Sequence, residues 1–155
     1  MPGTPPLITV LRVTDLVHTA AFADLDRAAL YDLLQLRSQV FVVEQACVFL
    51  DLDGRDTEPT AIHLWLERDG RMVGYARMLP GPDATELGRI VTPLDQRGSG
   101  VGARLMREAM ARIDGPIRLK AQARLADWYE GFGFEVVGQP FLEDGIPHVP
   151  MRFDP

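Results

Sequence analysis

The sequence predicts an α/β (α+β) fold, a mixed, mostly antiparallel sheet with a central β-α-β unit and helices on both faces. Residues 62–79 form two strand patterns around Asp69-Gly70, a two-residue hairpin signal that makes antiparallel neighbours. Residues 86–123 run strand, glycine-rich turn, amphipathic helix, strand, the pattern of a right-handed parallel crossover. Helical patterns before, within and after that unit each carry an apolar face that needs a sheet to cover it.

In chain order, residues 1–6 are a Pro/Gly tail expected to be disordered, and 7–155 are expected to form one domain. Ile8–Val13 is a short strand candidate. Asp26 opens a helix, with Leu30, Leu33, Leu34 and Phe41 at helical spacing. Residues 47–59 are polar and turn-rich. After the hairpin, Gly81 to Ala84 turns the chain into a strand over 86–92. Val101, Leu105, Ala109 and Ile113 share one face of the following helix, which Asp114-Gly115-Pro116 ends. A strand over 117–123 and a helix over 125–132 come next. Residues 134–137 and 148–153 close the sheet as a pair of strands around a long loop.

A chain of 155 residues can bury a core without staples. Hydrophobic content of 46% and charged content of 25% are those of a soluble globular chain. The net charge of −6 argues against nucleic acid as the main partner. With one cysteine, Cys47, no internal disulfide is possible. No stretch approaches the ~20 apolar residues of a membrane span, and no leader pattern opens the chain. A cytoplasmic protein with no membrane partner is the expectation.

The most informative stretch is Arg97-Gly98-Ser99-Gly100-Val101-Gly102, a glycine turn between a strand and a helix. Backbone N–H groups at a helix N-terminus favour an anion, and glycines let the main chain approach it. The turn is therefore expected to grip a phosphate or pyrophosphate. Gly98 to Ala103 also fits the G-x-G-x-x-A dinucleotide pattern. Against that reading, Thr92 to Arg97 separate the strand from the glycines. Lys120 and Gln122 stand where an acidic residue is wanted, and only about 50 residues follow. Arg124 keeps NADP as an alternative. The phosphate loop G-x-x-x-x-G-K-[ST] does not occur.

Arg97–Gly102 resembles the R/Q-x-x-G-x-G/A acetyl-CoA signature of the GNAT N-acetyltransferases. Gly88-Arg89-Ile90-Val91 is similar to that family's fourth strand, and Leu125–Phe134 to its "…FY…GF" segment. Leu36–Gln45 and Glu143–His148 resemble the ElaA-type branch. The pieces fall in the family's order over residues 27–153. The resemblance implies acetyl-CoA as cosubstrate and an amine acceptor attacking it directly in a ternary complex. A non-catalytic coenzyme A sensor on the same fold is the alternative. It also implies splayed fourth and fifth strands and leaves a homodimer through the C-terminal strands open.

Under that resemblance, Arg97, Gly98, Ser99, Gly100, Val101 and Gly102 hold the pyrophosphate through their backbone. Ile90 and Val91 offer main-chain groups to the pantetheine and the thioester. Tyr129 stands where the family places the acid for the leaving thiolate, and a phenol suits that task. Gln122 and Arg124 are placed at the cofactor, although many members carry Asn at the position of Arg124. The base is left among Glu86, Glu44, His148, His63 and a water relay. Asp51, Asp53 and Asp56 suggest binding of a cationic acceptor. They do not suggest calcium, because Gly54 stands fourth where the EF-hand loop needs it sixth. No metal is expected.

Overall fold

The computed structural model describes residues 15–155. The tail 1–6 and the strand expected at Ile8–Val13 lie outside these residues. The first strand described, β1 (Leu16–Ala21), was not anticipated. It pairs antiparallel with β2 (Ile62–Arg68), from Leu16 opposite Glu67 to Ala21 opposite Ile62. Its signal is weak because Leu16 and Thr19 face solvent, no residue of the strand is fully buried, and Val17 alone among them packs against the core.

Helix α1 (Arg27–Arg37) starts where the sequence places it. The Asp26 carboxylate caps it by accepting from Ala29 N at 2.7 Å. A π-helical segment, residues 38–44, then widens the helix, a feature often found at functional sites. The chain leaves through Ala46, whose φ of 49° is a left-handed conformation that few non-glycine residues take.

Strands β2 and β3 (Arg71–Leu79) form the expected hairpin. Asp69 and Gly70 have φ of 52° and 75°, the paired positive values of a type I′ turn. β3 is buried on both faces beyond its first residue. Leu33, Leu36 and Val40 pack with Met72, Tyr75 and Val91 on one side. On the other, Val101, Leu105, Met106 and Ala109 of α2 (Val101–Ala111) pack against Val73, Ala76 and Met78. Helices on both faces of the sheet follow from this division.

The strand order is β1-β2-β3, then β4 (Thr85–Val91), β5 (Ile117–Gln122), β8 (Ile146–Phe153) and β6 (Glu135–Val136), with β7 (Phe141–Glu143) also on β8. The one parallel pair among the described residues joins β4 to β5 across α2. Among the described residues there is therefore no doubly wound parallel sheet, and the dinucleotide reading loses its scaffold. Helix α3 (Ala126–Glu130) follows β5. The long loop expected between the last strands holds a strand of its own. β6 and β7 both pair with β8. Asp144 and Gly145, with φ of 50° and 75°, repeat the turn made by Asp69-Gly70.

Candidate active site

The sheet opens at its centre. β4 and β5 are paired only at Thr85–Ile117 and Glu86–Arg118. From Leu87 onward, the edge of β4 facing β5 has no ladder partner among the described residues. On the other side of β4, Val91 stands opposite Tyr75 and Gly88 opposite Arg77. Two β4 residues, Arg89 and Ile90, therefore oppose the single Ala76, which is a β-bulge. Arg89 takes a φ of 52° there. A cleft of about 1010 Å³ fills the opening and continues to the glycine turn and the β7–β8 hairpin. That is ample for a large cofactor and an acceptor.

At one end lies the glycine turn. Gly98 and Gly100 have φ of 76° and 86°, values that explain why glycine stands at both positions. The first bond into α2 runs from Arg104 N to Gly100 O at 3.0 Å. None of the N–H groups of residues 98–103 has a hydrogen-bond partner among the described residues. A row of free N–H donors at a helix N-terminus is the geometry an oxyanion of phosphate needs. Val101 contributes only its backbone, since its side chain is buried against β3. The Ser99 hydroxyl turns back to Gln96 O at 2.5 Å and so does not face the cleft.

Arg97 forms a two-pronged ion pair with Glu44, the last residue of the π segment, with Nη2 to Oε2 at 2.8 Å. That contact holds the Glu44 carboxyl below the ordinary carboxylate range. Next to Glu44, Gln45 accepts from Gln122 Nε2 at 3.2 Å, and Gln122 in turn accepts from Arg124 at 3.0 Å. The Cys47 thiol donates to Asp144 O at 3.2 Å. Residues 44–47 thus touch the glycine turn, the end of β5 and the last hairpin, so they bound the cleft on three sides. The sequence offers no periodic signal for this segment.

Tyr129, on α3, lines the cleft and is 6% exposed. Trp128 and Phe134 pack edge-on to its ring at 4.9 and 6.2 Å between centroids. Its hydroxyl has no hydrogen-bond partner among the described residues. Burial pushes the phenol up to about 12, against a smaller opposing pull from Arg124. His148, on β8 opposite Gln122, also lines the cleft. Its Nδ1–H donates to Ile146 O at 2.7 Å, and its ring stacks on Phe141 at 5.7 Å. A carbonyl can only accept, so in the neutral ring Nε2 carries the free lone pair. Glu86, the second residue of β4, lies between Arg55 and Arg118, each 3.4 Å away.

The two remaining candidates behave otherwise than expected. His63 is fully buried, with Nε2 donating to Asp56 O at 3.0 Å and Nδ1 accepting from the Tyr75 hydroxyl at 2.7 Å. Burial holds its imidazole below the ordinary value, so it is a neutral core residue. Asp51, Asp53 and Asp56 do not form an acidic acceptor surface, because three arginines neutralise them. Arg37 bonds Asp51 at 2.9 Å and Asp56 at 2.6 Å. Arg77 bonds Asp53 at 2.8 Å and Asp56 at 3.0 Å. Arg89 forms ion pairs with Asp51 at 2.8 Å and with Asp53 at 3.3 Å. Each carboxylate bridges two guanidiniums, and the six residues close into a ring. Charge counting missed it because its arginines lie on α1, β3 and β4, far from the loop in sequence.

An opened sheet, with an N–H cradle at one mouth and a buried phenol on its wall, is an arrangement suited to a long phosphate-bearing ligand lying across the sheet. Residues 38–155 match the acetyltransferase (GNAT) domain family. A UPF0039 protein of Mycobacterium tuberculosis is 44% identical over 145 residues, covering 90% of this chain and 93% of that protein. The ElaA protein of Escherichia coli is 39% identical over 145 residues, covering 88% and 92%. The ElaA crystal structure superposes with a TM-score of 0.85, covering 91% of this chain and all of that one. A crystal structure of an acyl-CoA N-acyltransferase from Pseudomonas aeruginosa superposes equally well, with a TM-score of 0.85 at 38% identity, covering 90% and 99%. The chain belongs to the GNAT acetyltransferase family, among the relatives of ElaA.

Proposed function

We propose that this protein transfers the acetyl group of acetyl-CoA to an amine by direct attack in a ternary complex. One observation carries the reading. The free N–H groups of residues 98–103, the unpaired edge of β4 and the unbonded hydroxyl of Tyr129 all open onto one cleft. The glycine turn holds the pyrophosphate and Arg124 adds charge at that mouth, where Arg97 is balanced by its pair with Glu44. The main chain of Ile90 and Val91, beside the bulge, offers groups to the pantetheine and one N–H to the thioester oxygen as negative charge develops there.

His148 Nε2 accepts the amine proton as the C–N bond forms. Glu86 is the second candidate, working through a water, since its two arginines hold it only at 3.4 Å. Glu44 is a poor base because Arg97 already occupies both its oxygens. Tyr129 gives its proton to sulfur as the C–S bond breaks. The burial that raises this phenol also penalises the departing thiolate, so transfer between them stays favourable. Bulk water then restores the proton of Tyr129 and takes the one held by His148.

Calorimetric titration with acetyl-CoA, coenzyme A and NADPH tests the cofactor, and thiol release against a panel of amines tests the transfer. Micromolar binding of acetyl-CoA with thiol release supports the reading. Binding of coenzyme A with no thiol release from any amine makes the chain a sensor. Binding of NADPH alone overturns the coenzyme A assignment.

A further inference from the structure

The ring of Arg37, Arg77, Arg89, Asp51, Asp53 and Asp56 has no part in the proton transfers above, yet three of its members, Asp53, Arg77 and Arg89, line the cleft. A buried ion pair contributes little net stability over apolar side chains of the same volume. A closed ring from four parts of the chain therefore calls for a reason of position. Arg89 supplies one. It occupies the β-bulge, in a backbone conformation unfavourable for any residue with a side chain. Something must hold it there.

The ring does so from several directions. Arg89 Nε reaches the Asp51 carboxylate at 2.8 Å, and its Nη2 reaches Asp51 O at 2.9 Å and Asp53 at 3.3 Å. Its guanidinium also lies 5.9 Å from the centre of the Phe49 ring. Asp51 and Asp53 are themselves fixed by Arg37 on α1 and Arg77 on β3. Arg37 is fully buried and Arg77 nearly so, and neither can swing away to water. Bulge, loop and helix therefore move together or not at all.

We infer that this ring is the positioning frame of the acyl site, fixing the β4 bulge so that the main chain beside Arg89 presents an N–H to the acyl carbonyl. The inference rests on the acyltransfer reading. Arg89 and Asp53 are positioning residues, acting through the backbone of Ile90 and Val91. The frame contributes alignment, and misplacing such donors by an ångström is enough to lose much of their effect.

The test is the infrared carbonyl band of acetyl-CoA labelled with ¹³C at the thioester carbon, read free and bound to the full chain. Bound to the native protein, the band is expected to move to lower frequency. In Arg89→Ala and in Asp53→Asn that shift is expected to be lost, while unacylated coenzyme A binds as tightly as before and circular dichroism stays native. Asp53→Asn keeps the shape and leaves the Arg89–Asp51 contacts, so it carries the test if Arg89→Ala fails to fold. An unshifted band with the native protein, or a native shift in both variants, overturns the inference. So does a loss of coenzyme A affinity in step with the shift, which marks a general structural role. Failure of the native protein to bind coenzyme A at all is a different result and removes the cofactor reading itself.

Discussion

Tyr129 presents a hydroxyl without a hydrogen-bond partner among the described residues, on a ring whose edges are packed by Trp128 and Phe134. Removing that oxygen should therefore cost the fold little and the reaction much. Tyr129→Phe is expected to lower acyl transfer by ~10²–10⁴ with an unchanged melting temperature, measured by steady-state thiol release and a thermal melt. With the phenol pushed up to about 12, it stays protonated through the neutral and mildly alkaline range. The alkaline limb of the native rate profile should accordingly not come from Tyr129. In the sequence this residue stood out only by resemblance, because its neighbours Trp128, Phe132 and Phe134 form an aromatic cluster that hides it. Its isolation from partners is a property of packing. His63 shows the converse. An imidazole beside a cleft-bearing sheet is a natural base candidate, and only the Tyr75 hydroxyl and Asp56 carbonyl reveal that both its nitrogens are taken.

Among the elements, the glycine turn was legible because its requirement is local. A left-handed φ at Gly98 and Gly100 has to be met by the residue itself. Open space surrounds the point where a side chain would begin at Gly100, so the penalty of Gly100→Ala is one of backbone strain. That strain is ~1–2 kcal/mol, and denaturant unfolding should show it alongside weaker coenzyme A binding. The π segment was not legible, since nothing in residues 38–44 departs from an ordinary helical pattern. It matters because it delivers Glu44 to Arg97. Glu44→Gln should free Arg97 for a phosphate and tighten coenzyme A binding by up to ~5-fold, since an exposed pair is worth up to about 1 kcal/mol. The gain should fade in high salt, as calorimetry at two ionic strengths would show. The final hairpin was missed for a different reason. Asp144-Gly145 carries the same turn signal as Asp69-Gly70, but its first strand has three residues, too few for alternation to register.

For the whole molecule, the order of elements and the central crossover were readable, while the cross-chain charges were not. Those charges set the response to acid. Burial keeps the His63 imidazole below its ordinary value, so the unfolded chain takes up that proton first as pH falls. The contribution of neutral His63 is full above ~6.5 and declines below it. Asp53 and Asp56 are held below the usual carboxylate range by Arg77 and Arg37, against the opposing effect of burial. Their contribution is full above ~4 and is lost only as pH falls further. Thermal melts from pH 8 to pH 3 should therefore show two declines. His63→Gln should remove the upper one and leave the lower, at the expense of stability near neutrality.

The two-rung join between β4 and β5 also makes the sheet two leaves on a narrow spine, β1–β4 on one side and β5–β8 on the other. Among the described residues, the ladder across this seam has just the pairs Thr85–Ile117 and Glu86–Arg118, helped by the bond from Thr85 N to Pro116 O and by the crossover helix. A guest lying between the leaves would act as a splint, lending them the lateral bonding that the open edge lacks. Hydrogen exchange should register this as slowed amides at Leu87–Val91 and Leu119–Gln122 when coenzyme A is added, with little change in β1 or β2. The molecule would then be most cohesive only while loaded, and its stiffness would track the supply of its own substrate.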